Sequence, residues 1–182
     1  MSVAAGALAA SPALAQFKTQ GVTDTEIVVG THMDLSGPIK SWGIPSSNGA
    51  KLAVEQINAA GGINGRKIRY ILEDDAYDPK KAVLATQKMI ELDKVFSIMS
   101  PMGSATTLAP LPIVQAAGIT NLFSITAAEF TYAMDPKKPE DRLKFNIFSP
   151  YYDQARVGIK YLVESKKPKK ACIIFQDDEM GK

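Results

Sequence analysis

From residue 26 onward the sequence repeats one unit: a short β-branched apolar run, a turn-rich link and a helical pattern. Glu26–Asp34 reads as a strand flanked by turn formers. Ser46–Ala60 reads as a helix with an apolar stripe of Ala50, Leu52, Ala53, Ile57 and Ala60, stopped by Gly61-Gly62. Asn64-Gly65 is a tight turn into a second strand, Lys67–Leu72. Asp78-Pro79 then opens a helix from Lys80 to Leu92. Val95–Met99 is a third strand, followed by a helix from Ser104 to Ala117 that Pro110 and Pro112 must kink or interrupt. Thr120–Phe123, Leu143–Phe148 and Ala171–Phe175 read as three further strands, with a helix over Tyr152–Ser165. Repeated strand–helix units predict an α/β fold, a doubly wound parallel sheet, because each right-handed crossover lays its helix on one face.

Such a sheet places its ligand crevice beyond the carboxyl ends of the strands, where the strand order reverses. In the flavodoxin-like order that reversal lies between the first and third strands, which singles out Leu35–Gly43 and Ser100–Thr107. The first loop delivers Trp42, the chain's single tryptophan, which either packs onto the lobe or forms a ligand wall. In the second loop, Met102, Gly103 and Ser104 lead into a helix. Ser104 suits an N-cap, and Gly103 allows close approach to the backbone. A helix start of this kind favours anions, so Ser104 reads as a carboxylate donor or as a cap alone. The fourth strand ends in Ser124-Ile125-Thr126-Ala127-Ala128, whose hydroxyl and carbonyls suit an ammonium or amide group.

Other chemistries find little support. No Gly-x-Gly-x-x-Gly or Gly-Lys-Ser/Thr phosphate loop occurs at these turns, so no cofactor is implied. With one cysteine, Cys172, and one histidine, His32, the chain offers neither a disulfide framework nor a nucleophile–base pair. Cys172 is expected as a small buried hydrophobe, and His32 as a core or lining residue. Asp74-Asp75 and Asp177-Asp178 read as solvated turn acids. The net charge of +2, with acids and bases interleaved and no basic stripe, argues against a nucleic-acid partner. The run 166–170 reads as a solvated turn.

Val3 to Leu14 is built almost wholly from small and apolar residues and closes on Ala13-Leu14-Ala15 before Gln16, a cleavage-site pattern for export. The apolar stretch is too short to span a bilayer. It lacks a basic leading region, so the start reads as clipped.

The segments LSGPIKSWG, NGAKLAVEQINAAGGINGRKIRYILEDDAYDPKKAV, SPMGSATT, LFSITAAEF and KKACIIFQDDEMGK, in that order, resemble the type I periplasmic binding proteins of branched-chain amino-acid ABC transporters. The resemblance runs from Glu26 to Lys182. It implies two lobes closing over a small amino acid, carboxylate or amide, with residues 1–15 a signal-peptide remnant, 24–150 the first lobe and 151–182 the start of a truncated second lobe. It also implies a periplasmic location and an inner-membrane ABC permease as partner. Carried over residue by residue, Ser104 matches the carboxylate-binding serine and Trp42 an aromatic wall. Ile125, Thr126 and Ala127 match the segment near the ligand ammonium, with Thr126 one place from the family threonine. Tyr152 opens the second lobe, and Met180 falls where a second-lobe tyrosine often stands. The segments LFSITAAEF and DPKKPEDR are nearer the branch that binds varied carboxylates or amides. A ligand-sensing domain of a receptor or regulator is the alternative that shares the fold.

Overall fold

A computed structural model describes residues 19–178 and 180–181; the expected export segment lies outside them. Five parallel strands form one sheet in the order β2-β1-β3-β4-β5, where β1 is Glu26–Met33, β2 Lys67–Asp74, β3 Ser97–Met99, β4 Thr120–Leu122 and β5 Lys144–Phe145. This is the flavodoxin-like order expected of the strand–helix repeat. From β1 the chain steps one way to β2, then back across β1 to β3. Right-handed crossovers therefore place α1 (Lys40–Ala59) on one face and α2 (Pro79–Glu91) on the other. The next crossover continues in the same direction, so α3 (Ser104–Leu108) and α4 (Leu111–Ala116) join α2.

β1 is the central strand, and Val28 through Met33 are buried on both faces, as a covered parallel strand requires. Val28 packs with Met89 and Ile90 of α2, with Val95 and Ile98, and with Val114 and Ile119 around α4. Gly30 is part of that fit: a Cβ there would stand 2.6 Å from the Met89 sulfur, so the absent side chain lets α2 close on the strand. α2 starts as its sequence directs, with Pro79 in the first turn and the Asp78 carboxylate accepting the Lys80 amide at 2.7 Å.

α1 differs from expectation in extent and in face. It begins six residues earlier, at Lys40, so Trp42 lies in its first turn rather than in a loop. Leu52, Ala53, Ile57 and Ala60 of the expected stripe are exposed. The residues turned inward are Gly43, Ser47, Ala50, Val54 and Asn58, which follow helical spacing and, Val54 apart, are small or polar. Small residues bring the helix axis close to the sheet, and a Cβ on Gly43 would collide with the Asp34 carbonyl oxygen. Asn58 then bonds the edge strand directly: its amide donates to the Ile68 carbonyl at 2.8 Å and accepts the Ile68 amide at 2.7 Å.

The expected helix over Ser104–Ala117 is two short helices, broken at Ala109-Pro110 as the prolines require. β5 keeps two of its six expected residues. The Asn146 side chain ends the ladder by donating to the Thr126 carbonyl and accepting from the amides of Ile147 and Phe148. α5 spans Tyr151–Lys166 and buries no residue. The expected sixth strand, Ala171–Phe175, pairs with no described strand, and Ile174 is 99% exposed. A strand needs a hydrogen-bonded neighbour, and without one Cys172 is exposed rather than buried. No described helix is long and apolar enough to cross a membrane.

Candidate functional site

The first loop is shaped by a residue that composition gave little reason to notice. Asp34 is fully buried at the end of β1; its carboxylate accepts the Gly37 amide and, at 2.7 Å, the Ile39 amide. This side-chain turn carries the chain from the strand into α1. Ile39 and Trp42 thereby reach the crevice, and Trp42 remains 69% exposed at its mouth.

The second loop is stitched between two strands. The Met102 amide donates to the His32 carbonyl at 3.2 Å, the Gly103 amide to the Ile125 carbonyl at 3.2 Å, and the Ile125 amide to the Pro101 carbonyl at 2.8 Å. Gly103 has φ +96, a left-handed value that suits glycine. Gly103, not Ser104, is the residue before the first helical turn, so the expected capping role of Ser104 is corrected. α3 has five residues, and so short a helix sums few peptide dipoles. The Ser104 hydroxyl instead meets the Thr126 hydroxyl at 2.7 Å, with both residues buried. Thr126 Oγ1 also accepts the Ala128 amide at 3.2 Å.

These elements surround a cavity of about 420 Å³ beyond the carboxyl ends of the strands. It brings together Trp42, Met102, Gly103, Ser104, Ile125, Thr126, Ala127 and Met180. Tyr152 is not among its lining. α5 begins at Tyr151, and adjacent residues of a helix point about 100° apart. Tyr151 and Gln154 therefore face this cavity, whereas Tyr152 lines an adjoining one of about 630 Å³ with Glu129 and Phe130. The carbonyls expected to receive an ammonium group each accept one bond already: Ile125 from Gly103, Thr126 from Asn146 and Ala127 from the Tyr151 amide.

Sequence reasoning also missed Ile39, Tyr77, Phe148, Tyr151, Gln154 and Gln176, which complete the lining. Tyr77 is the most informative. It follows Asp74-Asp75, and only one of those acids behaves as a turn acid. Burial pushes the Asp74 carboxyl up, yet hydrogen bonds from the Ser36 hydroxyl and the Leu35, Ala76 and Ser36 amides hold it below the usual carboxylate range. Asp75 is completely buried and meets His32 Nδ1 at 2.7 Å, so its expected solvation is corrected and His32 takes the core role. Among the described residues the cavity lining carries no charged side chain, and four of its walls are aromatic: Trp42, Tyr77, Phe148 and Tyr151. A largely apolar cavity with a few buried hydroxyls suits a small organic solute whose polar end reaches Ser104 and Thr126. Among the described residues no cluster of metal-ligating side chains occurs.

The model of the periplasmic binding protein family matches residues 26–182. An amino acid binding protein of Pseudomonas aeruginosa is 32% identical over 158 residues, which take in 86% of this chain and 40% of that protein. The Leu/Ile/Val-binding protein of Escherichia coli (strain K12) is 30% identical over 148 residues, or 81% of this chain and 38% of that protein. Among solved structures, the branched-chain amino acid transporter substrate binding protein LivJ of Streptococcus pneumoniae, in complex with isoleucine, superposes with a TM-score of 0.67 at 26% identity. That superposition covers 79% of this chain and 39% of LivJ. The chain spans about two fifths of the length of the curated relatives it matches.

Proposed function

The chain belongs to the periplasmic binding protein family, and on that premise we propose that it is the ligand-gripping first lobe of an exported protein that captures a small amino acid, carboxylate or amide for an ABC importer. The observation that carries this reading is the buried Ser104–Thr126 hydroxyl pair, set 2.7 Å apart within a cavity whose other walls are mainly apolar. One hydroxyl hydrogen lies between Ser104 and Thr126, which leaves the other as a donor for a carboxylate or amide oxygen, and the aromatic walls shield the rest of the ligand from water. Trp42, Met102, Gly103, Ser104, Ile125, Thr126 and Ala127 are the first-lobe contacts in this reading, and Met180 the contact from across the cleft. Tyr152 takes its place at the adjoining cavity instead. The role is binding without chemical turnover, in keeping with the relatives, which are named as binding proteins. The partner is the importer's permease. Export through the apolar 3–15 segment to the periplasm is part of the same proposal, with Gln16 the mature N-terminus.

Mass spectrometry of ligand carried through purification of the full-length gene product, followed by calorimetry with the compounds found, tests the reading. A small amino acid, carboxylate or amide bound one-to-one is the expected result. Failure of every member of those classes to bind would overturn it. N-terminal sequencing of exported protein that began elsewhere than Gln16 would overturn the cleavage site, and retention of the gene product in the cytoplasm would remove the export component.

A further inference from the structure

We propose that Tyr77 is a specificity-determining residue of the cavity, its ring limiting the size of the ligand group that sits beside Ser104; this rests on the solute-binding reading above. Ala76 and Tyr77 have φ values of 49° and 58°, so two successive non-glycine residues occupy the left-handed region. Such a conformation persists only where the surroundings enforce it, and it concentrates at ligand sites.

Here the enforcement comes from the acid pair just before. Asp74 Oδ1 accepts the Ala76 amide at 2.9 Å and the Leu35 amide at 2.9 Å. Asp75 Oδ1 accepts the Tyr77 amide at 2.8 Å, while Asp75 Oδ2 is held at 2.7 Å by His32 from the neighbouring strand. Gly37 closes the arrangement from the β1–α1 loop, where a Cβ would stand 2.5 Å from the Ala76 carbonyl oxygen. His32 and Asp75 are thus positioning residues that aim Tyr77.

The ring and the hydroxyl have partners as well. A Cβ on Gly103 would come within 2.6 Å of Tyr77 Cε2 and 3.1 Å of Cδ2, so the ring lies directly over the glycine that precedes Ser104. The Tyr77 hydroxyl accepts from Gln176 Nε2 at 3.2 Å, and Gln176 lines the same cavity. A ring packed over Gly103 and tied through its hydroxyl to Gln176 resists swinging aside for a larger ligand group. It therefore acts as a size limit next to the hydroxyl pair.

Calorimetry on the full-length gene product with L-alanine, L-leucine and L-phenylalanine, each also as its 2-oxo acid and its amide, tests the proposal. Tyr77→Ala is expected to shift the ratio of dissociation constants about tenfold in favour of the larger member of each series. Tyr77→Phe keeps the ring and loses only the hydroxyl, so it is expected to weaken all probes by about twofold to tenfold with their ratio unchanged. Should Tyr77→Ala fail to fold, Tyr77→Leu is read in the same way. A lowered melting temperature with the wild-type ratio retained in the truncated variant would overturn the proposal, leaving Tyr77 a structural residue. Absence of binding by the wild-type protein to every probe would overturn the solute-binding reading and this inference with it.

Discussion

His32 Nδ1 and Asp75 Oδ2 lie 2.7 Å apart in the interior of the lobe, joining β1 to the turn that follows β2. Burial makes each of them dependent on the other. Removing one partner strands a polar group that water cannot reach. His32→Ala is expected to lower unfolding free energy by about 3–5 kcal/mol. Replacing both residues with leucine should recover only part of that loss, since the desolvation of both groups is avoided but the Tyr77 amide loses its acceptor on Asp75. Urea unfolding of the two variants checks this; a single variant as stable as wild type would show the contact to be unimportant.

Ser104→Ala should weaken binding of a carboxylate ligand by about tenfold to a hundredfold, because a hydrogen bond to a charged group contributes roughly 1.5–3 kcal/mol. The accompanying loss of stability should be only about 1 kcal/mol. Ser104 does not cap α3, and Thr126 Oγ1 keeps its bond from the Ala128 amide. Calorimetry beside thermal unfolding separates the two effects. Unchanged affinity in the variant would remove Ser104 from the site.

Gly43 meets the backbone of Asp34 with no space for a methyl group. Gly43→Ala is therefore expected to push α1 off the end of β1 and destabilise the lobe by about 1–3 kcal/mol, although alanine is the better helix former. Because the same displacement moves Trp42, one residue before it, ligand affinity should fall as well. A variant more stable than wild type in urea would mean that propensity outweighs the collision.

Asp141 supplies a dependence on pH. The Asp135 amide, then the Lys144 ammonium at 2.9 Å and the Gln115 amide, hold its carboxyl down at about 2. A folded-state value below the unfolded one means that its contribution is complete above the ordinary carboxylate range and is lost as pH falls through the folded value. Asp141→Asn should therefore be less stable than wild type at pH 5 to 7, with the difference shrinking below about pH 4 and gone only below about pH 2. Denaturant unfolding across that range checks the sign; a gap that widened toward acid would contradict it.

The sequence alone determined the order and type of the elements from β1 to α5, and through them the sheet. Period-2 and helical patterns, turn residues such as Asn64-Gly65 and the cap Asp78-Pro79 are local signals. The right-handed crossover converts their order into a β2-β1-β3-β4-β5 topology whose crevice lies beyond β1 and β3. That is why Trp42, Gly103, Ser104 and Thr126 are legible as neighbours from the sequence. Pairings across the fold were not. His32 with Asp75 spans 43 residues, Ser104 with Thr126 spans 22, and Gln176 with Tyr77 spans 99. No local period encodes them. The inward face of α1 departs from the apolar stripe for a similar reason: a tight helix–sheet approach selects Gly43, Ser47 and Ala50 over the larger apolar residues that a stripe rewards. Cys172 shows the converse limit, since an apolar run becomes a strand only when another strand lies alongside it. Register, close approach and the desolvation of paired polar groups are properties of the packed chain, and only the tertiary structure decided them.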